Sequence, residues 1–248
     1  PTQEQFRVAA WQKPWKSQTV FASPETTGFA QRATLAQAAR IGRLAEPLPG
    51  GVCGRIDSST ALVVELFGAA TSSISRVQLL NGGNSAAIRS ASGAWEIVQF
   101  ETALETAPDL WRLTGLLRGQ LGTDDAMRAG AEADADVVLL DDAVRPAGLL
   151  ATESGLSLTW RIGPAGTELS GANYSQQTVI GGLRALLPLS PVHLRGRFDG
   201  EDLVLSWIRR GRLDADSWTP GEIPLGEDHE EYEVTFAAAA GPIVRTKR

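Results

Sequence analysis

Residues 94–117 read AWEIVQFETALETAPDLWRLTGLL. Two strand-like runs, AWEIVQFETA (94–103) and LWRLTGLL (110–117), stand either side of a turn-like Ala107-Pro108-Asp109. Pro presets φ and Asp bonds to its own backbone, so such residues end one strand and start the next. Upstream, TALVVELFG (60–68) alternates Leu62, Val64 and Leu66 against Val63, Glu65 and Phe67. Both faces are mainly apolar, which predicts a central strand. SISRVQLL (73–80) is read with the strands and leads into Asn81-Gly82-Gly83-Asn84, a hairpin signal because Asn and Gly tolerate positive φ. Downstream, ADVVLLDD (135–142) predicts a short buried strand. LSLTWRIGP (156–164) alternates Leu156, Leu158 and Trp160 against Ser157, Thr159 and Arg161. Short strands at this spacing predict an all-β fold, a β-rich sandwich or barrel-like domain and not a βαβ unit.

The flanks read differently. Residues 1–50 are expected to be an extended leader, a connection to an upstream part, with Trp11, Pro14 and Trp15 in a turn-rich stretch. Within it, GFAQRATLAQAARIGRLAEPLPGG (28–51) suits a helix from about 33 to 44 by its alanines, and strands by Phe29, Thr34 and Ile41. Short apolar runs do not separate the two. Residues 51–187 form the β-rich domain, and RALLPLSPVHLRG (184–196), with Pro188 and Pro191, leads into a new unit over 188–248. There DLVLSWIRRG (202–211) places Leu203, Leu205 and Trp207 on one face, and EYEVTF (231–236) places Tyr232, Val234 and Phe236 on one face.

Composition narrows the function. The chain has 248 residues, 43% hydrophobic, which excludes wholesale disorder. It carries 23 Lys+Arg against 29 Asp+Glu, a net charge of −6, which argues against direct nucleic-acid binding by this segment. Its one cysteine, Cys53, excludes an internal disulfide framework or a Cys-rich zinc site. Its two histidines, His193 and His229, leave little material for acid–base or metal chemistry. The chain begins at Pro1 with no signal-peptide pattern, and no apolar run approaches the roughly 20 residues of a bilayer span. It is therefore expected to be a processed or excised piece of something larger.

Each candidate chemistry has a bland counterpart. Glu132, Asp134 and Asp136 alternate and could meet a Ca²⁺, but the loop spacing of a calcium motif is absent, which favours a solvated loop. Asp124-Asp125 and Asp141-Asp142 are adjacent pairs that point to opposite faces of a strand, unsuited to a glycosidase carboxylate pair. No G-x-S-x-G elbow, P-loop or dinucleotide fingerprint occurs. Trp111, Trp160 and Trp207 suit core positions; Trp11, Trp15 and Trp218 lie in loop-like contexts. Exposed Trp anchors protein interfaces and stacks on sugars, so these three are interaction candidates, with local packing as an equal alternative to packing between subunits. Arg209 and Arg210 complete the candidate list; they suit pairing with the acidic run at 227–233 of a neighbouring subunit or, the favoured reading, of the same unit. No catalytic, cofactor or metal residue is assigned, and no enzyme activity is expected.

Two stretches go beyond a generic β pattern. DLWRLTGLLRGQLGTDDA (109–126), followed by GAEADADVVLLDDA (130–143), resembles the C-terminal region of the large baseplate or tail-tip proteins, the hubs, of gene transfer agents and related siphophage-like particles. Leu113, Leu116, Leu117, Arg118, Gly119, Gly122 and Thr123 match the family's Leu-x-x-Leu-Leu-Arg-Gly-x-x-Gly-Thr, which precedes a short acidic loop and a buried strand. SPVHLRG, LVLSWIRRGRLDADSW and PLGEDHEEYEV, within 190–234, resemble the fibronectin type III-like module that follows it. GRIDSSTALVVELFGA (54–69) fits the same family. The resemblance implies a structural tail component acting in host-cell attachment, envelope penetration or gating of the DNA exit channel. It implies other baseplate and tail proteins as partners, a homo-oligomer, specifically a trimer, and a host outer-membrane receptor or polysaccharide as target. It places the chain in the tail baseplate of a virion-like particle assembled in the cytoplasm. About four strands remain from 188 onward, so the fibronectin-like sandwich is expected to be partial. The alternative function is a carbohydrate-binding module for host-surface glycans.

Overall fold

In the computed structural model, residues 6–212, 222–237 and 243–247 are described. The fold is all-β. The chain divides into two units, 3–186 and 187–248. In chain order the first unit holds β1 (Arg7–Val8), β2 (Gln18–Ser23), β3 (Ala30–Leu35), β4 (Ile41–Leu44) and β5 (Leu62–Leu66). Next come α1 (Arg76–Leu80), β6 (Ser85–Arg89), β7 (Trp95–Ala107), β8 (Leu110–Gln120) and α2 (Asp124–Ala129). It ends with β9 (Asp136–Leu139), β10 (Arg145–Pro146), β11 (Ser157–Pro164) and β12 (Ser175–Ile180).

Six strands close into an antiparallel barrel in the order β4-β5-β8-β7-β6-β9, and β9 pairs back onto β4 from Ile41↔Val138 to Arg43↔Asp136. Period-two alternation sends one set of side chains inward. Leu62, Val64 and Leu66 of β5, Val98 and Phe100 of β7, Leu113 and Leu116 of β8, and Val137 and Leu139 of β9 fill the interior. Even about eight strands leave an interior only wide enough for side chains. Six strands, filled in this way, enclose a packed core and no channel. The β7–β8 hairpin turns at Pro108-Asp109, with Asp109 at φ 63°, as expected from the sequence.

The stretch at 28–51 resolves to strands, and a close approach explains why. Gly42 pairs with Leu66 on one side and Val137 on the other. A Cβ there would sit 2.1 Å from the Glu65 carbonyl oxygen, so only glycine lets β4 fit the seam. Residues 18–44, read from the sequence as part of an extended leader, thus supply β2, β3 and the strand that closes the barrel.

Three other expectations are corrected. SISRVQLL forms the short helix α1: the Ser75 hydroxyl accepts the Gln78 amide at 3.3 Å, and the Gln78 side chain accepts the Ser75 amide at 2.9 Å. This reciprocal capping box outweighs the strand pattern. Asn81-Gly82-Gly83-Asn84 then joins a helix to β6 and not one strand to another, with Gly82 at φ 89° and Asn84 at φ 50°. The acidic loop expected after Thr123 is the helix α2, with Asp124 and Asp125 in its first turn, where acidic side chains favour helix.

A four-stranded sheet, β12-β11-β2-β3, completes the first unit. Val20, Ala22, Leu158 and Trp160 bury its inner face with Val8, Leu35 and Ala147.

The second unit holds two separate antiparallel pairs among its described residues: β13 (Val192–Asp199) with β14 (Asp202–Ile208), and β15 (Val234–Ala237) with β16 (Ile243–Lys247). The cross-strand pairs Phe198↔Leu203 and Gly196↔Leu205 put Leu203 and Leu205 on one face. Trp207 meets Tyr232 edge-on at 5.0 Å. Phe198 is 76% exposed and Leu194 70%, and no hydrophobic residue is buried among the described residues of 187–236.

Candidate functional site

The residues that carry the family resemblance converge on one constellation, and it is built around a buried ion pair. Leu113 and Leu116 enter the barrel core, while Arg118, at the end of β8, is fully buried. Its side chain is 0% exposed and that of Glu96, on β7, 1%. The guanidinium Nε donates to Glu96 Oε1 at 2.5 Å and Nη2 to Oε2 at 2.9 Å, a bidentate fork. Nη1 and Nη2 both donate to the Pro49 carbonyl at 3.2 Å, and the Gly119 amide donates to Glu96 at 3.2 Å. Buried charges persist only when paired and hydrogen-bonded in this way.

The neighbours of Arg118 are chosen by space and turn geometry. A Cβ on Gly51 would lie 3.1 Å from Arg118 Nη1, so glycine lets the 48–57 segment cross the guanidinium. That segment is stitched down at three points: Leu48 to Ala131, Cys53 to Arg118 and Asp57 to Leu116. After Arg118 the chain turns through Gly119 and Gly122, at φ 60° and 77°. Thr123 Oγ1 then accepts the Ile97 amide at 3.0 Å and donates to the Gln120 carbonyl at 2.7 Å. The motif therefore ties β7, β8, α2 and the 48–57 segment together. Sealed from solvent, Arg118 and Glu96 hold structure; no substrate reaches them.

Two carboxylates near this assembly are held in the charged form. Asp57 Oδ1 accepts the Ser59 amide at 2.9 Å and the Ser59 hydroxyl at 2.6 Å, and also the Thr60 amide at 3.2 Å. The Ser59 and Thr60 bonds keep its carboxyl well below the usual range. Arg184 forks onto Asp125, and that hydrogen-bonded pair lowers the Asp125 carboxyl to about 2. With folded values depressed, these groups stabilise above the ordinary carboxylate value, and the contribution is lost as pH falls through the folded value. Below pH 3.8 and toward about 2 the unfolded chain binds protons that folded Asp125 does not, so stability falls with pH by up to one proton's slope per group. Thermal unfolding between pH 5 and 2 checks this; D57N and D125N are each expected to flatten the slope.

The interaction candidates fall in different places. Trp11 is 40% exposed, packs on Phe67 at 5.3 Å, and donates its indole N–H to the Phe67 carbonyl at 3.0 Å. Trp15 packs on the β2–β11 core and donates to the Ala36 carbonyl at 3.1 Å. The two rings serve different local contacts. Trp218 lies outside the described residues. Arg209 donates to Glu230 at 2.7 Å and to the Ile223 carbonyl, and Arg210 Nε donates to Ser190 at 2.7 Å. Both arginines are thus engaged within their own unit.

The remaining chemistry-bearing residues stay apart. Glu132, Asp134 and Asp136 are exposed, and no group of three or more His, Cys, Asp or Glu that could hold a metal ion occurs among the described residues. Neither histidine hydrogen-bonds a Ser, Thr or Cys among those residues; His229 lies 3.4 Å from Glu231. Glu96 escaped notice in the sequence. Its signal was position: it shares the inward face of β7 with Val98 and Phe100, where a carboxylate requires a buried cation. Among the described residues no helix is long and apolar enough to cross a membrane.

The site is thus a closed six-stranded barrel with a buried Arg–Glu pair at its motif. Residues 39–138, which run from just before β4 into β9, match the family described as Rcc01698-like, C-terminal. The match covers 100 of the chain's 248 residues, and that family name is tied to gene transfer agents. No curated protein matches the chain.

Proposed function

We propose that this chain is a structural component of the baseplate or tail tip of a gene-transfer-agent-type, phage-like particle. The observation that carries the reading is the coincidence of the matched residues 39–138 with the closed barrel and its Arg118 lock. A module whose defining arginine is sealed from solvent is selected for holding shape, which suits an assembly part. Catalysis has no place in the reading. Other baseplate proteins and further copies of the chain, as a trimer, are the partners, with a host outer-membrane receptor or polysaccharide as the target. The exposed apolar residues Phe198 and Leu194 favour such packing, because a two-stranded pair is marginal without cover.

The role is host-cell attachment, envelope penetration or gating of the exit channel. If it is gating, the channel runs between subunits, since the barrel interior is filled by Phe100, Leu113 and their neighbours. Density-gradient fractionation of particles tests the proposal. The chain is expected to sediment with intact particles and to stay with tails after heads are disrupted. Recovery only as a free protein that turns over saccharide contradicts it.

A further inference from the structure

The outer face of the β12-β11-β2-β3 sheet carries an arginine with aromatic rings beside it. Arg161 sits in one register row with Phe21 of β2 and Gln176 of β12. Its guanidinium lies over the Phe29 ring at 5.6 Å and the Tyr174 ring at 5.8 Å. The Tyr174 ring is set in place by its own surroundings. It rests on Gly163, where a Cβ would come within 2.6 Å of ring carbons, and its hydroxyl donates toward the Pro164 carbonyl at 3.3 Å. Phe21 supports it edge-on at 6.1 Å.

Arg161 differs from the other half-buried arginines of this unit. Arg32 pairs with Glu153, Arg40 with Asp141 and Arg184 with Asp125. Arg161 has no carboxylate partner among the described residues, and its Nε is buried without a hydrogen bond. A half-buried guanidinium stacked on rings but lacking a protein acceptor leaves its donors available to a carboxylate. Beside it, Gln176 shares its row and Thr178 the next one, opposite Thr159. Both are exposed, with side chains unpaired among the described residues. They offer amide and hydroxyl groups suited to ring hydroxyls. One cation on a chain of net charge −6 fits a single carboxylate and not a polyphosphate.

We propose that Arg161, with Phe29, Tyr174, Gln176 and Thr178, forms a binding site for a uronic-acid-type saccharide, the carboxylate on Arg161 and the hydroxyls on Gln176 and Thr178. The site stands on the first unit alone and is independent of where the chain resides. Calorimetric titration of the full chain with trigalacturonate, maltotriose and triglutamate tests it. Saturable binding of trigalacturonate alone is expected, with R161Q and R161K each weakening it about tenfold or more, since the lysine keeps the charge but lacks the fork. Circular dichroism monitors folding; if R161Q is misfolded, the exposed double variant Q176A/T178A is expected to weaken binding several-fold. No binding of trigalacturonate, equal binding of maltotriose or triglutamate, or unchanged affinity in the folded variants overturns the proposal.

Discussion

Glu96→Ala is expected to lower the stability of the chain by about 3–5 kcal/mol, because it strands the Arg118 guanidinium inside the fold. Removing one partner of a buried pair costs far more than the pair contributes net, since the remaining charge has no solvent to return to. For a unit of this size each kcal/mol moves Tm by roughly 2–4 °C, so a fall of roughly 6–20 °C is expected in thermal unfolding. Glu96→Gln keeps the shape and one acceptor and is expected to fall between. The double variant E96L/R118M replaces both charges with apolar groups and is expected to recover most of the loss. If E96A unfolds near the wild-type temperature, the pair is not the lock.

Gly42→Ala is expected to cost about 3 kcal/mol or more and to loosen the β4–β5 seam. Gly42 has no positive φ, so alanine alone would slightly favour the folded chain by restricting the unfolded one. The sign is reversed by contact: the new methyl would sit 2.1 Å from the Glu65 carbonyl oxygen and 3.0 Å from the Leu66 Cα, all backbone of a central strand. Relief requires β4 to move off β5, which also strains the β4–β9 pairing that closes the barrel. Gly68→Ala is the control. Gly68 has φ +64° and nothing within 4 Å, so only the conformational cost of about 1 kcal/mol applies. Urea unfolding of both variants, with hydrogen exchange at the Phe67 amide, which bonds to the Ile41 carbonyl, separates steric from conformational cost. Equal losses in the two variants contradict the seam argument.

Much of the barrel was legible because its strands advertise themselves locally. The alternation of Leu62, Val64 and Leu66, the apolar run at Val137–Leu139, and the turn at Pro108-Asp109 all depend on neighbours in sequence. Closure was not legible. It depends on β4, whose sequence suits helix or strand, and on its pairing with β9 roughly a hundred residues away; only the fit of Gly42 into the seam decides it. The helix α1 was hidden for the opposite reason: Ser75 and Gln78 form a local capping box inside a run that also reads as strand.

The candidate site divides in the same way. Arg118 stood out within its motif, but the motif alone does not say whether such an arginine faces a partner or a core carboxylate. Glu96 answers that, through a pairing across β7 and β8 that no spacing rule displays. Trp11 and Trp15 show the converse. They read as anchors because Pro14 and loop-like residues surround them, yet each indole N–H is taken by a nearby or distant carbonyl of the same unit. Arg161 was visible as the outward residue of an alternating strand; its lack of an acceptor appears only when the neighbouring strands are in place.

The proposed place of this chain is the tail tip of a particle, with the filled barrel as its structural module. Cryo-electron microscopy of intact particles, with an antibody fragment directed to the chain, tests it most directly. Density for the chain is expected at the distal end of the tail in symmetric copies, each barrel closed and occupied by Phe100 and its neighbours, with any axial channel lying between copies. Density on the head, a single asymmetric copy away from the tail, or particles lacking the chain altogether would contradict it.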